Sequence, residues 1–153
     1  CGLFRDSCRE VLEAEGFGAQ LDERLVDVAA LQLVQSPEAF DLIVTSNLFG
    51  DILSDLACHW SGGLGLAPSL NWGSGLALAE PVHGSAPDIV GSGRANPLAA
   101  ILSAALLLRY QWHEGALATR IEDAVQAFLA HEGHCDFGTE TTRVVTQGVL
   151  ALL

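Results

Sequence analysis

The chain has 153 residues, of which 50% are hydrophobic and 17% charged, so it can fold around a core and is not a disordered chain. Its formal net charge is −12, and its basic residues are scattered arginines without a single lysine, which excludes the basic patch that a nucleic-acid partner needs. The longest apolar run, Pro97 to Leu108, is shorter than the roughly 20 residues that span a membrane, and the chain start does not resemble a signal peptide. We therefore expect a cytoplasmic protein that binds neither nucleic acid nor membrane.

The cysteines and the chain start carry two further expectations. No CxxC pair or regular framework links Cys1, Cys8, Cys58 and Cys135, which indicates reduced thiols in a cytosolic protein. The sequence begins with cysteine and contains no methionine, so we expect it to be a piece of a longer protein.

The first part of the chain is predicted to alternate helices with strands. Apolar residues three or four apart predict helices, and alternating or β-branched runs predict strands. The predicted elements are a helix over Leu3–Ala14, a strand over Ala19–Val26, a helix over Val28–Val34 and a buried strand over Leu42–Val44. A helix capped by Ser46 or Asn47 follows them.

The second part begins with a glycine-rich stretch over residues 62–75, which we interpret as a hinge or domain boundary. A short strand over 76–78 leads into the turn-rich segment 80–97. Three helices are then predicted, over 97–112, 115–131 and 139–152, and the first of them is expected to be buried. This order of elements predicts a layered α/β fold.

Two aspartates stand out in the sequence NLFGDILSD. Asp51 and Asp55 are four residues apart, so a helix places both on one face, where like charges repel. A solvated surface pair explains this spacing on its own. A metal site explains it too, because Asp27 is predicted to follow a strand, and three converging carboxylates suit Mg²⁺ or Mn²⁺. Spacing alone leaves both interpretations open.

Several segments together resemble the C-terminal half of the isocitrate/isopropylmalate dehydrogenase family, the metal-dependent β-decarboxylating dehydrogenases. They are GLFRDSCREV near the start, LVDVAALQLVQSPEAFD over 25–41, FDLIVTSNLFGDILSDLACHWSGGLGLAPS over 40–69 and EPVHGSAPDIVGSGRANPLAAILSAALLLRY over 80–110. The resemblance implies a layered α/β/α fold of two domains without a GxGxxG Rossmann motif. Residues 1–61 would belong to the dimerisation and metal–substrate domain, and residues 62–153 to the nucleotide-binding domain.

The resemblance also assigns site residues. Asp51 and Asp55 match the family's Mg²⁺ or Mn²⁺ ligands, and Asp27 matches the catalytic aspartate that completes the metal site from the neighbouring subunit of a dimer. The implied cofactor-binding residues are Glu80, His83, Gly84, Ser85, Ala86, Asp88, Ile89 and Asn96, with Asn96 at the adenine. Family members that use NADP carry a lysine–tyrosine pair at the place of Asp88 and Ile89, so we expect NAD, although Arg94 nearby offers a partner for a phosphate.

The implied activity is the oxidation and decarboxylation of a malate-type 2-hydroxy acid, such as 3-isopropylmalate, homoisocitrate, isocitrate or tartrate, in a homodimer or higher homo-oligomer. The family's general-base lysine, general-acid tyrosine and substrate arginines have no match in these 153 residues. We therefore expect this chain alone to be inactive. The alternative is a non-catalytic, truncated relative that keeps the dimer surface and the NAD loop as a regulatory module.

Three other features have simpler explanations. His131 to Cys135 (HEGHC) offers zinc-binding groups but no matching distant pair, so a helix end or loop is favoured over a metal site. His59 and Trp60 are expected to pack or to serve as a hinge. Tyr110 is expected to be a core residue whose hydroxyl reaches an edge.

Overall fold

In the computed structural model, the described residues, 2–16, 18–132 and 142–153 without the side chains of 131 and 132, form a helix-rich α/β structure with one small sheet. The chain divides into two compact units, Cys1–Leu42 and Ile43–Leu153. Within the described residues, no helix combines the length and the apolar content that crossing a bilayer requires.

The first unit contains two helices, both of which the sequence predicts. Helix α1 (Gly2–Ala14) is followed by Gly16, whose φ of +62° lies in the left-handed region that favours glycine after a helix. Helix α2 (Val26–Gln35) begins two residues before its predicted start and buries Ala29 and Leu33.

Both strands predicted in the first part of the chain are wrong. Ala19–Leu25 is irregular, and Arg24 in this segment lies 5.1 Å from the centroid of the Phe40 ring and donates a hydrogen bond to Gln32. Leu42–Val44 is also irregular, with Leu42 82% exposed. A strand needs a neighbour to take up its backbone hydrogen bonds, and neither segment has one among the described residues.

The second unit begins with helix α3 (Asn47–Ala57) and continues into an antiparallel hairpin. Strand β1 (Pro68–Trp72) pairs with β2 (Ala77–Pro81), with Pro68 opposite Pro81 and Trp72 opposite Ala77. The predicted short strand near residue 77 is confirmed as β2. Strand β1 was not predicted, because it lies in the glycine-rich stretch that we interpreted as a boundary.

The chain is divided into its compact units between Leu42 and Ile43, outside that glycine-rich stretch. The division of the whole protein into domains at residue 62 stays a prediction.

Three helices complete the second unit, as predicted. Helix α4 (Leu98–Tyr110) packs on both strands and on α5 (Gly115–Glu132), and α5 packs on α6 (Thr142–Leu150). The predicted start of the last helix, at residue 139, lies outside the described residues. The core joins these three helices and comprises Leu98, Ala124, Val125, Phe128, Val145 and Val149.

Helix α4 is buried chiefly along its first half, where the hydroxyl of Ser103 donates to the carbonyl of Ala99 at 2.8 Å. The prediction that Tyr110 is a core residue is wrong, because this last residue of the helix is 45% exposed. Its ring lies beside Trp72 of the hairpin, with centroids 6.4 Å apart.

Candidate functional site

The predicted metal-binding aspartates lie on α3. This helix begins after Ser46, whose extended backbone is typical of an N-cap and whose carbonyl accepts the Gly50 N–H at 2.8 Å. The predicted start is therefore confirmed, although no side chain caps the helix. Asp51 and Asp55 lie on one face and are both exposed, whereas Leu53 is buried.

The charge of this aspartate pair is not neutralised by the described part of the chain. No side chain there forms an ion pair or hydrogen bond with the carboxylate of Asp51 or Asp55. Burial raises the pKa of the Cys58 thiol, and the nearby negative charge of Asp55 raises it further. Carboxylate oxygens that are exposed, close in sequence and without a cationic partner are a donor set that fits Mg²⁺ or Mn²⁺.

Asp27 lies in the other compact unit, near the start of α2, and is exposed. The expectation that it follows a strand is wrong. Its carboxylate accepts the backbone N–H of Val28 at 2.9 Å, in the first turn of the helix, where the helix dipole stabilises a negative charge.

Among the described residues of one chain, no group of three or more His, Cys, Asp or Glu side chains is placed to hold a metal. The assignment of Asp27, Asp51 and Asp55 to a site shared by two chains stays a prediction.

The predicted cofactor residues follow one another along β2 and the loop after it. Glu80 is an exposed residue of β2 opposite Ser69, and His83 is half-buried, with Nδ1 2.9 Å from the carbonyl oxygen of Gly84. Gly84 and Ser85 are exposed, so their backbone is open to a ligand.

The loop then turns sharply at Ala86, whose φ of 43° is in the left-handed region that residues other than glycine seldom adopt. A short 3₁₀ turn, Pro87–Ile89, follows and carries Asp88, which is exposed, and Ile89, which is half-buried. Asp88 is therefore accessible to solvent.

Asn96 is fixed at the end of this segment. Its Oδ1 accepts the backbone N–H of Leu98 at 2.9 Å, so the amide oxygen is used in starting α4. A Cβ added at Gly65 would lie 2.7 Å from Asn96 Nδ2 and 2.9 Å from its Cβ, which means that only glycine fits beside this side chain. Gly65 therefore contributes to the position of Asn96.

Sequence reasoning missed two residues that contact this segment, Gly65 and Thr142. Gly65 is one of many glycines in its stretch, and no sequence signal distinguishes it. Thr142, the first residue of α6, stands before an apolar helical pattern, a place where threonine often marks a helix start.

The comparisons with known proteins address the family directly. A sequence profile described as "Isocitrate/isopropylmalate dehydrogenase" matches residues 1–152. The chain belongs to the isocitrate/isopropylmalate dehydrogenase family. This confirms the family resemblance that the sequence motifs indicated.

Individual relatives agree with this assignment. An isocitrate/homoisocitrate dehydrogenase of Thermus thermophilus is 52% identical over 99% of this chain and 46% of its own length. A 3-isopropylmalate dehydrogenase of Thermosynechococcus vestitus is 50% identical over 95% of this chain and 39% of its own length. The chain thus spans less than half the length of these curated relatives.

The fold agrees as well. The crystal structure of isocitrate dehydrogenase from Methylococcus capsulatus matches with a TM-score of 0.91 at 40% identity, over 99% of this chain and 45% of that one. The predicted fold class, part of an isocitrate/isopropylmalate dehydrogenase fold, is therefore confirmed.

The remaining candidate residues add no further site. His59 and Trp60 form an edge-to-face ring pair with centroids 5.2 Å apart, and both are exposed, so their packing or hinge role stays a prediction. Arg94 is exposed, and its side chain makes no ion pair with the described residues, so it stays available for a phosphate. The side chains of the HEGHC segment, 131–135, lie outside the described residues.

Proposed function

We propose that the protein containing this chain is an NAD-dependent dehydrogenase that oxidises and decarboxylates a malate-type 2-hydroxy acid with the help of Mg²⁺ or Mn²⁺. The observation that carries the proposal is the unneutralised pair Asp51 and Asp55, on an exposed helix face of a chain that belongs to this dehydrogenase family. The candidate substrates remain 3-isopropylmalate, homoisocitrate, isocitrate and tartrate.

The aspartates hold the cation in this proposal. Asp51 and Asp55 supply oxygen ligands from α3, and Asp27 supplies a third from a second subunit of a homodimer or higher homo-oligomer. A divalent cation held by these carboxylates would supply Lewis-acid polarisation of the acid's C2 oxygen. The general base, the general acid and the substrate arginines are not among these 153 residues, which contain no lysine.

The loop from Glu80 to Asn96 holds the adenosine half of NAD. NAD held there would supply the acceptor for the hydride that leaves C2 of the acid. The exposed carboxylate of Asp88 accepts hydrogen bonds from the ribose hydroxyls and repels a 2′-phosphate, which favours NAD over NADP.

Calorimetry of Mg²⁺ binding tests the metal assignment. We expect Asp51→Asn and Asp55→Asn each to weaken Mg²⁺ binding by about tenfold or more, because each removes a charged ligand. Asp123→Asn is the matched control, since Asp123 is also an exposed helical aspartate of the same compact unit, and it should change the affinity by less than about twofold. Equal affinities in all three variants would refute the site.

A second candidate is a non-catalytic regulatory module that keeps the dimer surface and the NAD loop. The 153-residue chain alone is then expected to reduce no NAD with any of the four acids, because acid–base groups contribute about 10² to 10⁴-fold to the rate. The full-length protein separates the candidates, since only the enzyme turns over one of these acids.

A further inference from the structure

The first residue of helix α6, Thr142, forms hydrogen bonds with Gly93 and Ala95, just before Asn96. The backbone N–H of Thr142 donates to the carbonyl of Gly93 at 2.6 Å. The hydroxyl of Thr142 donates to the same carbonyl at 3.0 Å and to the carbonyl of Ala95 at 2.6 Å. A hydroxyl has one proton, so the shorter contact, to Ala95, is the principal one.

These contacts differ from an ordinary helix cap. A capping threonine accepts a hydrogen bond from the N–H groups of its own first turn. The hydroxyl of Thr142 instead donates to residues 47 and 49 positions earlier in the chain. Its hydrogen bond therefore stabilises the segment before Asn96, rather than the start of α6.

The other hydrogen bonds of the segment that Thr142 contacts are local: the Ser92 N–H and hydroxyl donate to the carbonyl of Ile89 at 3.1 and 2.6 Å, and the Arg94 N–H donates to the Ser92 hydroxyl at 3.4 Å. Residues 91–95 are exposed and form no helix or strand, and Gly93 adopts a φ of +70°. Helix α6, in contrast, is anchored in the core by Val145 and Val149, which are 0% and 1% exposed. Thr142 thus connects an irregular segment to a rigid helix.

We propose that Thr142 is a positioning residue for the cofactor: its hydroxyl holds the Gly93–Ala95 backbone so that Asn96 and the loop before it are arranged to receive the adenosine half of NAD. The proposal rests on the proposed function, because it assumes that this loop binds NAD. Loss of the hydroxyl lowers the fraction of molecules with the loop arranged for binding, and the apparent affinity falls by the same factor.

The test compares the affinities of the full-length protein for NAD and AMP by calorimetry. Thr142→Val removes the hydroxyl with little change of shape and keeps the backbone N–H. We expect it to lower the affinities for both ligands by about five- to tenfold, which is the effect expected from the loss of one hydrogen bond. Thr142→Ser retains a hydroxyl and should restore both affinities to within about twofold.

Thr146→Val is the matched control. Thr146 is on the same helix, and its hydroxyl donates to the carbonyl of Thr142 at 2.8 Å, within α6 itself. We expect this variant to bind NAD and AMP like the wild type. Mg²⁺ affinity should be unchanged in every variant, because the predicted metal ligands lie on other helices.

Three results would overturn the inference: wild-type affinities in Thr142→Val, no rescue by Thr142→Ser, or an equal loss in Thr146→Val. A wild-type protein that binds neither NAD nor AMP would instead contradict the proposed function. A protein that binds both ligands equally well with and without the Thr142 hydroxyl would leave the proposed function standing and remove only the role of Thr142.

Discussion

Replacing Gly65 with alanine tests how tightly the segment before α4 is packed. The added Cβ would lie 2.7 Å from Asn96 Nδ2, 2.9 Å from its Cβ and 3.1 Å from its Cγ, distances at which one of the groups must move. The Cβ of Asn96 cannot rotate away, so the backbone or the whole side chain of Asn96 has to shift. The hydrogen bond from Leu98 N–H to Asn96 Oδ1 is then lost or lengthened.

The size of the effect follows from the burial of Leu98, which is 0% exposed. A buried N–H that loses its acceptor costs about 1–3 kcal/mol. Alanine in place of glycine recovers about 0.4–1 kcal/mol by restricting the unfolded chain, because the φ of Gly65 lies outside the left-handed region. We therefore expect Gly65→Ala to lower the free energy of unfolding by about 1–2 kcal/mol.

Urea denaturation of the full-length protein measures this change. With a slope of about 1–3 kcal/mol per molar urea, the midpoint should fall by about 0.3–2 M. Gly84→Ala is the control, because a Cβ at Gly84, in the loop after β2, meets nothing within 4 Å. In a protein that also carries Asn96→Gly, Gly65→Ala should no longer lower the free energy of unfolding, because the Asn96 side chain that the added Cβ meets is gone. A Gly65→Ala protein as stable as the wild type would refute the packing on which this reasoning depends.

Three further predictions concern other parts of the chain. Gly148→Ala places a Cβ against Cε2 of the buried Phe128 ring. We expect the overpacking to lower the free energy of unfolding, measured by urea denaturation, by about 1–3 kcal/mol, and the higher helix propensity of alanine to offset about 1 kcal/mol of this. Asp88→Lys combined with Ile89→Tyr should shift the ratio of NAD to NADP affinities towards NADP by about tenfold or more, measured by calorimetry, and an unchanged ratio would contradict the role of the carboxylate. Burial raises the pKa of the Cys58 thiol, so peptide mapping should show its alkylation at pH 8 to be slower than that of free cysteine and to accelerate as the pH rises; an equal rate would contradict this.

The helices could be predicted from the sequence because their signals are local. The apolar spacing of α1, α2, α4 and α5 repeats within a few residues, and Gly16 marks the end of α1.

Strands depend on partners elsewhere, and the predictions failed there. Leu42–Val44 has the composition of a buried strand but no neighbouring strand among the described residues, whereas β1 forms in a glycine-rich stretch because β2 pairs with it. β-propensity could not distinguish these two cases.

The candidate site was predictable where its signals are local, as for the helices, and not where it depends on contacts between distant residues. The spacing of Asp51 and Asp55 places them on one helix face, which needs only the helical period. The contact of Asn96 with Gly65 and those of Thr142 with Gly93 and Ala95 join distant parts of the chain and could not be read from a local pattern.

The most direct test of the proposed chemistry is the reduction of NAD by the full-length protein with 3-isopropylmalate, homoisocitrate, isocitrate or tartrate, followed by NADH absorbance with Mg²⁺ or Mn²⁺ and with EDTA. We predict that one of these acids supports NADH formation, that EDTA abolishes it, and that Asp51→Asn lowers it severely while Asp123→Asn leaves it unchanged. No turnover with any of the four acids, or turnover that is indifferent to EDTA and to Asp51→Asn, would contradict the account.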